Sequence, residues 1–102
     1  MIRVVANLTA KPGRREEVLA LFKANIPAVL KEKGCLEYAA VVDAEDAGPS
    51  QTKMGPDTFV VIETWESLEA LADHRLAPHM VAFGKAAKDM IAARAVHVLS
   101  PA

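Results

Sequence analysis

Apolar and polar positions alternate over residues 2–9: Ile2, Val4, Ala6 and Leu8 fall on one side, Arg3, Val5, Asn7 and Thr9 on the other. A period of two is a strand. Lys11-Pro12-Gly13 interrupts it. Over residues 14–33 the period changes, and Val18, Leu19, Phe22, Ile26, Val29 and Leu30 recur at three- and four-residue spacing. That is the apolar stripe of a helix packed on a sheet. Pro27 removes a backbone donor within it and predicts a kink near Lys23, while Gly34 suits the left-handed position that ends a helix. Residues 36–43 and 58–65 read as the second and third strands. In the third, Phe59, Val61, Glu63 and Trp65 share one face, and Val60, Ile62 and Thr64 the other.

A sharp corner follows. Ser67 is a candidate N-cap, and Glu69 stands in the first turn, where the helix dipole favours an anion. This helix, residues 68–74, breaks before Pro78, a residue suited to the first position of a new helix. Met80, Phe83, Ala87, Met90 and Ile91 form the apolar face of that last helix, and residues 95–99 a short final strand.

The order β-α-β-β-α-β predicts an α+β domain over residues 1–102, a ferredoxin-like antiparallel sheet with helices on one face. Such a sheet normally leaves its other face polar. Here the second and third strands are apolar on both faces, and the helices cover only one. The pattern therefore predicts a homodimer packed sheet face to sheet face. Residues 44–57, with Gly48, Pro49, Gly55 and Pro56, form a connection long enough to be a lid or a disordered loop.

Composition narrows the partners. With 52% hydrophobic and 25% charged residues the chain is globular, and a formal net charge of −1 gives no footing for nucleic acid. No apolar run is long enough to span a membrane. The N-terminal stretch reads as a strand and not as a signal peptide, and the lone cysteine, Cys35, forms no intrachain disulfide. These features point to the cytoplasm.

The chemistry gathers near the strand–helix corner. His74 and His79 flank the Pro78 break, five residues apart, a spacing unlike the helical zinc pair and without further ligands, so no metal is expected. An imidazole there can serve as a general base, or simply cap and pack. Trp65 and Tyr38, the only residues of their kinds, suit pocket walls or plain core. Glu63 shares the face of Phe59 and Trp65, which makes it a buried carboxylate or one half of a marginal ion pair. Asn7 offers a polar contact to a bound oxygen or a neighbouring backbone. Phe83 belongs to core or pocket, Cys35 reads as a small buried hydrophobe, and His97 as structural. The five glycines form no dinucleotide fingerprint or phosphate loop, and there is no nucleophile elbow.

Several stretches form a recognisable set: Ala10-Lys11-Pro12-Gly13, Val29-Leu30-Lys31-Glu32-Lys33-Gly34-Cys35 with Tyr38, and Val42-Asp43. The set continues in Met54-Gly55-Pro56-Asp57, Ile62-Glu63-Thr64-Trp65-Glu66-Ser67, His74 and Pro78-His79-Met80. In these stretches the chain resembles the antibiotic biosynthesis monooxygenase family, and within it the bacterial quinol monooxygenases. The resemblance implies a dimeric α+β barrel with a pocket between sheet and helices. It also implies oxygenation of a quinol or polyhydroxylated aromatic by molecular oxygen, with no metal, flavin or haem. By the same resemblance His74 or His79 serves as base or oxyanion partner. Trp65, Tyr38 and Phe83 become aromatic walls, with Asn7 and Glu63 as polar contacts. Haem-degrading relatives match less well, since Asn7 falls one residue off their asparagine and His74 stands at their tryptophan. A non-catalytic dimer that binds quinones or other aromatics is the alternative.

Overall fold

A computed structural model describes residues 1–102. The elements run β1 (Ile2–Ala10), α1 (Arg15–Leu30), β2 (Cys35–Val41), β3 (Thr58–Trp65), α2 (Leu68–Leu76), α3 (Pro78–Ala87), a 3₁₀ turn (Lys88–Met90) and β4 (Ile91–Leu99). The four strands form one antiparallel sheet in the order β2-β3-β1-β4, the ferredoxin-like arrangement. The sheet is open, and all three helices lie on one side of it.

The alternation in β1 sorts as expected: Val4, Ala6, Leu8 and Ala10 are buried under the helices. Their β3 neighbours on the same face are Phe59, Val61, Glu63 and Trp65, all buried. From α1, Val18, Leu19, Phe22 and Val29 close the core, with Phe22 stacked on Tyr38 at a centroid distance of 4.9 Å. This helix runs as one element through Pro27. Ser67 caps α2, its hydroxyl accepting the Ala70 N–H at 3.1 Å, and Pro78 opens α3.

The α1–β2 junction fixes how closely α2 approaches. Gly34 sits at φ +85°, and a Cβ on it would come within 2.6 Å of the Ala70 Cβ. Only glycine allows both the left-handed backbone and this contact. The Gly34 carbonyl accepts the Glu66 N–H at 2.8 Å, which ties the start of α2 to the turn after α1.

The C-terminal boundary differs from the sequence pattern. The helix ends at Ala87, Ile91 already pairs with Ala10 across a register shift, and β4 is 9 residues long instead of a short strand from Ala95. Met90 and Ile91 continue the helical spacing of Phe83 and Ala87, so the pattern alone extends the helix. The competing bond is the Lys11 N–H donated to the Met90 carbonyl at 2.8 Å, which captures the chain for the sheet.

On the far side of the sheet, Val5, Ala39, Val60 and Ile62 are half-buried and Val41 and Leu99 are 46% exposed. No element of the chain covers this face, where these apolar residues are interspersed with Arg3, Asn7, Glu37 and Thr64. The connection over residues 42–57 is pinned at its base, because the Asp43 carboxylate accepts the N–H groups of Met54 and Gly55 at 2.9 Å each. Those two bonds hold the Asp43 carboxyl below the usual carboxylate range.

Candidate active site

Between the helices and the helix-facing side of the sheet lies a cavity of about 520 Å³, within the range of small-molecule sites. Most of its wall is apolar, built by Val4, Ala6, Leu8 and Val61 from the sheet and Phe22, Leu71, Met80 and Phe83 from the helices. Tyr38, Glu63 and His74 supply the polar groups on the buried side. Sheet register explains two of them: Tyr38 and Glu63 are direct neighbours across β2 and β3, so both project under the helices. His74 arrives from the last turn of α2 and is 4% exposed.

His74 is held by Trp65, Tyr38 and Glu32. Its ring lies 4.6 Å from that of Trp65 and 5.5 Å from that of Tyr38, centroid to centroid. Its Nδ1–H donates to Glu32 Oε2 at 2.9 Å, and the same oxygen accepts the Nε2–H of His79 at 2.7 Å. Because a carboxylate only accepts, this network puts a proton on Nδ1, and in the neutral form of the ring Nε2 then carries the lone pair. That nitrogen stands 3.9 Å from Glu63 Oε1, too far for a hydrogen bond.

Glu63 is 7% exposed, and its Oε1 accepts the indole N–H of Trp65 at 2.8 Å. Burial pushes its carboxyl above the ordinary glutamate value, while the Trp65 bond and the neighbouring His74 pull the other way. Burial likewise raises the Tyr38 hydroxyl, with the Glu63 and Glu32 charges adding to it. Tyr38 is therefore a neutral hydroxyl at physiological pH.

The sequence candidates separate accordingly. Tyr38, Glu63, His74 and Phe83 line the cavity. Trp65 stands behind the wall, fully buried, and acts on it only through Glu63 and His74. His79 is turned outward, where with Leu21, Asn25 and Phe83 it lines a separate hollow of about 260 Å³. Asn7 lies on the opposite face of the sheet, between Val60 and Ala95, and is not brought to the cavity. Its Oδ1 is buried without a hydrogen-bond partner. His97, opposite Val5, is on that same far face. No residue of the 42–57 connection lines the cavity. No three His, Cys, Asp or Glu side chains are grouped so as to hold a metal ion.

Glu32 is the polar residue that the sequence reading did not single out. Asn25 belongs with it, donating to the His79 carbonyl at 3.3 Å and to the Met80 sulfur at 3.4 Å. Asn25 falls on the stripe of α1 defined by Val18, Phe22 and Val29, and Glu32, in the turn just past the helix, continues the same three- and four-residue spacing in the sequence. A polar residue that continues a buried stripe was the available signal.

The fold has counterparts among known proteins. The family described as "Antibiotic biosynthesis monooxygenase" matches residues 1–86. The chain belongs to the antibiotic biosynthesis monooxygenase family. It is 41% identical to the Escherichia coli (strain K12) protein named "Probable quinol monooxygenase YgiN", across 99% of this chain and 98% of that one. Among solved structures, Rv0793 from Mycobacterium tuberculosis superposes with a TM-score of 0.81 at 26% identity, covering 99% of this chain and 94% of its own. PA3566 from Pseudomonas aeruginosa gives 0.81 at 24% identity, covering 99% and 93%, which shows the shared fold. Membership of the family and the E. coli relative support a monooxygenase role. No helix is long and apolar enough to cross a membrane.

Proposed function

We propose that the chain oxygenates a quinol or polyhydroxylated aromatic with molecular oxygen, without a cofactor, inside the 520 Å³ cavity. The observation that carries this reading is the oriented His74. Its Nδ1–H is fixed on Glu32, which leaves Nε2 free to take a proton from a hydroxyl bound in an apolar, aromatic-walled space. The imidazolium formed by that transfer keeps its bond to the Glu32 carboxylate and is stabilised by it.

A quinol anion is electron-rich enough to reduce oxygen itself, so the protein's work is to deprotonate, orient and exclude water. The balance is quinol plus oxygen giving a hydroxyquinone plus water: one oxygen atom enters the ring, the other leaves as water, and the quinol supplies all four electrons. Tyr38 and Glu63 offer polar contacts to the ring oxygens, and Phe22 and Phe83 pack on its faces. The uncovered apolar residues of the far face, Val5, Ala39, Val41, Val60, Ile62 and Leu99, support assembly as a homodimer through that face. Light scattering at micromolar concentration checks the dimer, and a monomer would refute it.

The activity is tested by oxygen consumption with reduced naphthoquinols, after chelator treatment and with autoxidation subtracted. Uptake that survives chelation and falls in His74→Ala is the expected result. Saturable quenching of Trp65 fluorescence with no uptake above background would replace catalysis with binding alone.

A further inference from the structure

Three cations line the cavity, and each comes from a different element: Arg75 from α2, Lys88 from the 3₁₀ turn and Arg94 from β4. None of them takes part in an ion pair, whereas Arg14 and Arg15 elsewhere on the surface are both paired with glutamates. The chain as a whole carries a net charge of −1. Around this cavity the balance is reversed: Glu63 is its only acidic residue, and burial disposes that carboxyl towards its neutral form. The charges are also layered. Arg75, Lys88 and Arg94 are exposed, while Glu63 and His74 are buried. The cavity thus has a hydrogen-bonding floor, apolar walls and a cationic mouth.

We infer that the substrate is an aromatic carrying an anionic group, such as a carboxylate, at the end remote from its reacting hydroxyl. This rests on the reading of the cavity as the substrate site and names the class of compound that site prefers. A neutral quinol satisfies the floor and walls and leaves three cations facing water. An anionic tail meets them where the low-dielectric wall strengthens the attraction, and guanidinium groups are suited to hold a carboxylate by paired hydrogen bonds. Positive potential at the mouth also steers such a compound inward before contact.

Binding is measured without turnover, by calorimetry, with 2-naphthol and 6-hydroxy-2-naphthoate. The two share ring and hydroxyl, and only the second has a carboxylate at the far end. The carboxylate is expected to bind about tenfold or more tightly, the combined effect of three partly screened charge pairs. The preference shrinks as salt rises. It collapses in the triple variant Arg75→Gln, Lys88→Gln, Arg94→Gln and persists in Lys85→Gln, on α3 outside the lining. Equal affinity for the two compounds, binding of neither, or a preference insensitive to salt would each overturn the inference. Oxygen uptake with a neutral naphthoquinol is read separately: its absence removes the monooxygenase reading and leaves the charge preference standing.

Discussion

Glu32 to alanine tests the geometry most directly. One carboxylate oxygen receives two N–H groups, from His74 at 2.9 Å and from His79 at 2.7 Å. The side chains are 5% exposed for His74, 14% for Glu32 and 26% for His79. Truncation leaves the His74 N–H buried without a partner, a loss of about 1–3 kcal/mol, whereas the more exposed His79 can rehydrate and adds well under that. The expected cost is about 3 kcal/mol, a large part of the ~5–15 kcal/mol that holds a domain of this size together. Melting should fall by about 12 °C or more, at about 4 °C or more per kcal/mol, compared at one protein concentration because assembly contributes. Glu32→Gln keeps an acceptor and loses the charge, so it should cost only about 1 kcal/mol. A double-mutant cycle of Glu32→Ala with His74→Ala should give a coupling of about 1–2 kcal/mol. The readout specific to orientation is the long-range ¹⁵N spectrum of the His74 ring. It reports a proton on Nδ1 in the parent and a mixture of tautomers in Glu32→Ala. A variant that melts with the parent and keeps the same His74 pattern would refute the clamp, and with it the assignment of Nε2 as proton acceptor.

Two further outcomes follow from the same network and its support. Burial raises the Glu63 carboxyl, so the folded chain holds that proton more tightly than the unfolded one. Its contribution to stability is therefore present below about pH 4.3 and lost as pH rises through the raised value. Glu63→Gln, which can still accept from Trp65, should flatten that decline in urea midpoints measured from acid to neutral pH; an unchanged slope would assign the titration elsewhere. Gly34→Ala combines a left-handed backbone at φ +85° with a Cβ 2.6 Å from that of Ala70. It should cost about 2 kcal/mol or more and lower oxygen uptake as α2 and His74 shift. A full-strength variant would mean that α2 can retreat freely.

The contrast between what the sequence carried and what it hid is one of range. Features decided within a few residues were legible: the two faces of β1 and β3, the Ser67 cap, the Pro78 start and the break between α2 and α3. The alternation in β1 even contained the placement of Asn7, since a residue sharing a face with Val5 and Thr9 cannot reach a cavity lined by Ala6 and Leu8. The misplaced boundary at Met90 and Ile91 came from the same local signal, overruled by pairing with β1 at the other end of the chain. What was hidden depends on elements that meet only when folded. Glu32 lies 42 residues from His74 and 47 from His79, and Arg75, Lys88 and Arg94 read as scattered surface charges until α2, the 3₁₀ turn and β4 converge. The proposed base and the proposed cationic mouth use different residues, and only His74 and Arg75 are adjacent in the chain. On the proposed reading, proton acceptance and substrate choice can therefore change independently, the first through Glu32 and the second through the three cations, on one unaltered sheet.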